Sequence, residues 1–191
     1  MKVLIIDNYD SFTYNLVHYV QGFLLNEDTL SVVRNDELSV NDIKFYDKII
    51  LSPGPGLPNE KQNLLPAVEQ AVQLQKHLLG VCLGHQAIAL YFGAKLKNLS
   101  QPYHGVASGM NIINPSPLYN GIENNLKVGR YHSWVVENSS LPNNLVVDGL
   151  DDENRIMSFH HITLPVFGVQ YHPESILTEN GKKIIQNFLN I

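Results

Sequence analysis

The 191 residues, 44% of them apolar, are enough for one domain with a sizeable core. Thirteen basic and 18 acidic side chains give a net charge of -5, and the lysines and arginines are scattered rather than clustered, which argues against a nucleic-acid partner. The opening run Val3–Ile6 is too short for a signal-peptide core, and nothing later approaches a membrane span, so the expected address is cytoplasmic.

Val3–Ile6 reads as a strand that stops at Asp7, and Ser11 or Asp10 can cap the amphipathic stretch YNLVHYVQGFL after it. Leu30–Val33 and Lys48–Leu51 are two more buried strands, the second ending in SPGPGLP, whose prolines and glycines forbid regular structure. Pro66 suits the first turn of a helix with Val68, Ala71 and Val72 on one face. The chain then returns as the strand LLGVC before a helical HQAIALYF. This alternation predicts a mainly parallel sheet covered on both sides. After Gly93 the strand-like segments 105–113, 126–137, 144–147, 155–161 and 166–171 succeed one another with turn signals between them, predicting a smaller antiparallel portion. Thr178 is the expected N-cap of a last helix carrying Ile184, Ile185, Phe188 and Leu189. The expectation is a single α/β domain over residues 1–191, with no repeat and no linker.

Cys82 is the only cysteine, so it forms no internal disulfide and is free for chemistry or for packing. It sits in GVCLG, leaving a strand and entering a helix. That pattern fits a nucleophile elbow, where neighbouring chain passes so close that only glycine fits. The partial positive charge at a helix start favours an anionic sulfur. Local sequence alone also allows a small buried hydrophobe beside two glycines.

Eight histidines compete to serve such a thiol. His18 and His77 fall in helical patterns, and His85 comes just after the elbow and points along its helix. His160 and His161 invite a metal reading, but no cysteine or carboxylate stands at ligand spacing, so no metal is expected. His172 ends the apolar strand PVFGVQY and is followed by Pro173 and Glu174. An imidazole and a carboxylate are thus available together at a strand end, the pairing that a Cys-His-Glu triad needs. Taken alone, His172 reads more readily as a polar strand end with an unremarkable acid beside it. The PGPG turn after Leu51 lacks a nucleotide-binding signature. Beside the elbow, a glycine N–H there and the N–H of Leu83 would suit an oxyanion; the other reading is a tight loop.

SPGPG, GVCLGHQ and QYHPES, in this order and spacing, resemble the class I (triad-type) glutamine amidotransferases. Together with DNYDSFTYN, VRND, GRYHSW and HPESILTENG the chain is similar, within that family, to the glutamine-hydrolysing component II of anthranilate synthase. The resemblance implies a flavodoxin-like fold and a triad of Cys82, His172 and Glu174. It implies an oxyanion hole from Leu83 and Gly54, and glutamine binding by Gly54, Pro55, Gly56, Leu83, Gln86, Ser133 and Trp134. It implies no cofactor, L-glutamine as substrate, and as partner a chorismate-using synthase subunit: anthranilate synthase component I or, in the alternative, aminodeoxychorismate synthase. Two positions depart from the family pattern. Val106 stands where many relatives are basic, and Trp134 where leucine is commoner.

Overall fold

The first strand, β1 (Lys2–Asp7), alternates its side chains between two apolar layers: Val3 and Ile5 enter one, Leu4 and Ile6 the other. A strand buried on both faces belongs inside a sheet covered by helices on either side. The computed structural model, which describes residues 1–191, has that arrangement. Helix α1 (Thr13–Gln21) leads to β2 (Thr29–Arg34), and β3 (Lys48–Leu51) to α2 (Leu64–Gln73). Then come β4 (His77–Val81), α3 (Leu83–Tyr91) and a short β5 (Leu96–Asn98).

The second half contains β6 (Val106–Ile112), β7 (Leu126–Arg130), β8 (Trp134–Val136), β9 (Leu145–Asp151), β10 (Ile156–His161), β11 (Val166–Val169) and α4 (Gly181–Asn190). Nine strands form one sheet in the order β2-β1-β3-β4-β11-β10-β9-β6-β7, and β5 pairs with β8 in a second, two-stranded sheet. The neighbours from β2 to β11 are parallel, and those from β11 to β7 are antiparallel. The fold is therefore α/β with a mainly parallel centre and an antiparallel extension. Helices α1 and α4 cover the face holding Val3, Ile5, Ile50 and Leu79; α2 and α3 cover the face holding Leu4, Ile6, Ile49 and Leu78. No helix is long and apolar enough to cross a membrane.

The structure departs from the sequence reading at several elements. His77 opens β4 rather than lying in a helix, because α2 ends at Gln73 and Gln75 turns the chain with φ 51°. The expected strand 126–137 is two strands in different sheets, broken at Tyr131–Ser133. Asp10 acts one turn early, its carboxylate accepting the Phe12 N–H at 2.8 Å, while α1 begins at Thr13 with no side-chain cap.

Thr178 does not cap α4. Its hydroxyl accepts the Gly129 N–H at 2.9 Å and donates to the His172 carbonyl at 2.5 Å. With His172 N–H bonded to Gly129 C=O at 3.0 Å, it ties the turn after β11 to the end of β7. The helix instead starts after Asn180, which takes the left-handed conformation with φ 56°. A Cβ at the next residue, Gly181, would lie 1.8 Å from the Pro173 carbonyl oxygen.

Candidate active site

Sheet order brings the two ends of the chemistry together. β4 and β11 are adjacent and parallel, with Val81 opposite Val169, so the residues just beyond each strand emerge at the same carboxyl edge. The Cys82 N–H is bonded to the Val169 carbonyl at 2.8 Å, and His172 follows three residues beyond the end of that neighbouring strand. In doubly wound sheets this edge is where ligands bind.

Cys82 has φ 51° and ψ -98°, a sparsely populated conformation for a residue with a Cβ, of a kind that costs about 1–3 kcal/mol and is found where surroundings over-determine it. The flanking glycines provide that constraint. A Cβ on Gly80 would lie 2.4 Å from the Gly84 backbone, and one on Gly84 would lie 2.6 Å from Leu51 in β3. The helix start is pressed onto the sheet, and the thiol, 6% exposed, is left at the helix N-terminus.

His172 and Glu174 are each 2% exposed. The imidazole Nδ1 faces Glu174 Oε1 at 2.7 Å, and Nε2 has no hydrogen-bond partner. Burial disfavours the charged ring, yet the neighbouring Cys82 and the Glu174 carboxylate outweigh it and hold the imidazole pKa well above its ordinary value. Phe12 and Tyr131 pack on the ring, with centroids at 5.8 and 4.8 Å, and Tyr131 is itself fixed by a 3.0 Å bond between its hydroxyl and Ser175. Gln170, fully buried, places its side-chain amide N–H 3.6 Å from the Cys82 sulfur.

A cavity of about 220 Å³ opens over Cys82, smaller than the roughly 300–1,000 Å³ usual for drug-sized ligands and suited to a molecule of amino-acid size. One wall is the Gly54–Pro55–Gly56 turn, the floor is Leu83 and Gln86, and the far wall is the Tyr131–Trp134 loop. The PGPG turn is positioned from β1. Asn8 donates its backbone N–H to Ser52 Oγ and its amide to Ser52 O, both at 2.8 Å, and a Cβ on Gly54 would come within 2.6 Å of Asn8. The Gly54 N–H donates to nothing in the chain, and Leu83, as the first residue of α3, has no partner for its N–H within the helix. A larger groove of about 750 Å³ runs along β5 and β8 but contains no thiol, imidazole or triad residue.

The structure thus brings Cys82, His172, Glu174, Leu83, Gly54, Pro55, Gly56, Gln86, Ser133 and Trp134 to one edge. The other histidines lie elsewhere or are engaged. His85 lies in α3 and does not line the cavity over Cys82. It is fully buried against Phe159, with centroids 4.5 Å apart, and burial pushes it down to about 3. His160 faces Asp148 at 2.5 Å, and His161 accepts the backbone N–H groups of Thr163 and Leu164.

Sequence reasoning missed three residues here: Tyr131, His132 and Gln170. Arg130, His132 and Trp134 alternate along the chain, a period that places them on one side of an extended segment, and that spacing was the available signal for His132.

Comparison with known proteins gives a consistent answer. The family model "Glutamine amidotransferase class-I" matches residues 4–191. The chain is 45% identical to anthranilate synthase component 2 of Saccharolobus solfataricus, covering 98% of this chain and 97% of that one. It is 44% identical to the bifunctional protein TrpGD of Thermotoga maritima, covering all of this chain but 32% of that one. It is 38% identical to aminodeoxychorismate synthase of Streptomyces griseus, of which it spans 26%. Among solved structures, a glutamine amidotransferase of Thermotoga maritima superposes with a TM-score of 0.83 over all of this chain and 96% of that one. At 14% identity, that likeness speaks to the fold alone.

Proposed function

The chain belongs to the class-I glutamine amidotransferases, and we propose that it hydrolyses L-glutamine and passes the ammonia to a chorismate-using synthase subunit that makes anthranilate for tryptophan. The observation that carries this reading is the convergence of Cys82, His172 and Glu174 beside two unengaged N–H groups, those of Gly54 and Leu83. The relatives named anthranilate synthase component 2 supply the pathway.

The Cys82 thiolate attacks the side-chain amide carbon of glutamine. Negative charge gathers on the amide oxygen, where the N–H groups of Leu83 and Gly54 receive it; such preorganised donors are worth about 10²–10³ in rate each. The His172 imidazolium gives its Nε2 proton to the departing nitrogen, ammonia leaves, and a thioester remains. The neutral imidazole then takes a proton from water as it attacks the thioester, releasing glutamate and restoring the starting pair. Glu174 keeps Nδ1 protonated and Nε2 aimed at the reacting atoms throughout. Pro55 and Gly56 complete the turn that carries Gly54, and Gln86 and the Ser133–Trp134 backbone hold the amino-acid end of the substrate. The whole of residues 1–191 acts as one glutaminase domain, working in the cytoplasm in a heteromeric complex with the synthase. A channel between the subunits keeps the ammonia unprotonated, since ammonium is no nucleophile.

A second reading keeps the same chemistry and changes the acceptor. The 38% identity to an aminodeoxychorismate synthase supports a role in p-aminobenzoate formation, instead of or beside anthranilate. The test uses Cys82→Ala in complex with the synthase. Glutamine-dependent product is expected to disappear while added ammonia still supports synthesis, and the product identifies the pathway. Persistent glutamine-dependent turnover in this variant contradicts the assignment.

A further inference from the structure

His132 lines the cavity without being part of the triad, and its hydrogen bonds leave it a single tautomer. Arg130 Nε lies 3.2 Å from His132 Nε2, and His132 Nδ1 lies 3.0 Å from the Trp134 carbonyl oxygen. A guanidinium has only donors, so Nε2 must be the lone-pair nitrogen and the proton must sit on Nδ1, donating to Trp134 C=O. Arg130 cannot turn away. It is 1% exposed, its Nη1 is 2.7 Å from the buried Asp151 carboxylate, and its guanidinium carbon lies 3.7 Å from the centre of the Tyr103 ring.

The Trp134 carbonyl also accepts the Gln86 amide N–H at 2.9 Å, so two donors fix one oxygen. Backbone bonds from Leu99 N–H to Ser133 C=O and from Glu137 N–H to Lys95 C=O mark residues 133 and 137 as facing β5. By the alternation of an antiparallel pair, Trp134 turns both its N–H and its C=O the other way, toward Gln86 and the cavity.

We infer that His132 is a positioning residue: held as one tautomer by Arg130, it fixes the Trp134 carbonyl and thereby aims the Trp134 N–H at the amino-acid end of the substrate. This rests on the glutaminase reading and adds to it the residue that sets the geometry of the binding loop. Burial first, and the Arg130 charge second, push His132 down to about 3, so the ring stays neutral and the hydrogen bond persists at any working pH.

Asparagine places an amide N–H near the position of Nδ1, whereas glutamine places one near Nε2. Glutaminase kinetics of the full chain are compared for wild type, His132→Asn and His132→Gln, with melting temperatures measured alongside. His132→Asn is expected to keep KM for glutamine within threefold. His132→Gln is expected to raise KM about tenfold while kcat changes less than threefold, the pattern of lost binding in ground and transition states alike. Nitrogen-15 NMR of the wild-type chain is expected to show a neutral Nδ1–H ring from pH 5 to 8. An unchanged KM in a folded His132→Gln, or equal KM increases in both variants, overturns the positioning role and leaves the glutaminase reading standing. So does an Nε2–H or titrating ring, a result that needs no variant to fold. A wild-type chain without glutaminase activity, alone or with its synthase, removes the reading and this inference with it.

Discussion

His132 and His172 are both buried beside the same cavity, and their surroundings drive them in opposite directions. Around His172 stand the Cys82 side chain and a carboxylate, which stabilise the charged ring against the cost of burial. Around His132 stands a guanidinium that occupies Nε2 as a donor and repels a second positive charge. The residue type is the same; the neighbours decide that one ring carries a proton to the leaving group and that the other is a fixed donor. A reading of the site by residue type alone would have offered two bases where the geometry allows one.

The comparison can be broken by removing one ring or its partners. The largest effect is expected from His172→Ala, which should lower glutamine hydrolysis about 10³–10⁴-fold, the range for loss of a general base that also protonates the leaving group. A variant within tenfold of wild type in a steady-state assay would mean that another group moves the proton.

Next in size is Asp151→Asn. It leaves the 1% exposed Arg130 with a weaker partner, and breaking a buried pair from one side costs about 3–5 kcal/mol. Arg155 Nε, 2.7 Å from the same carboxylate, loses its charged partner too. The denaturant midpoint should fall accordingly, and KM for glutamine should rise as Arg130 loosens from His132. An unchanged midpoint contradicts the picture of the Arg130 side as an electrostatically fixed wall.

Glu174→Gln is expected to cost about 10²-fold in kcat. It also tests the sign of the electrostatics. Glu174 raises the His172 pKa both through its hydrogen bond and through its charge, so removing the charge must lower that pKa. The alkaline limb of Cys82 alkylation, where the imidazolium loses its proton, should move to lower pH. A limb that stays in place shows that the carboxylate does not set the charge on the ring.

The parallel half of the molecule was legible in the sequence because each strand there is a short apolar run bounded by a turn or by the start of a helix. The GVCLG and HPE segments were legible for a related reason: glycines demanded by contacts of 2.4–2.6 Å, and an imidazole and carboxylate two residues apart. The wall made by Tyr131–Trp134 was not. Leu126–Glu137 is rich in residues that favour strands, and nothing local marks the break at residue 131. The break is made by long-range bonds, Tyr103 N–H to His132 C=O and Leu99 N–H to Ser133 C=O, which hold the segment to a part of the chain some 30 residues earlier. Thr178 was misread for the same reason. Its partners, Gly129 and His172, come together only when β7 and the turn after β11 meet.

The most direct measurement is covalent trapping with a chloroketone analogue of glutamine, followed by intact mass and peptide mapping. A single adduct on Cys82 is predicted, protected by glutamine and forming at least tenfold more slowly in His172→Ala. An adduct elsewhere, or a rate at Cys82 that does not depend on His172, would contradict the pairing of this thiol with this imidazole.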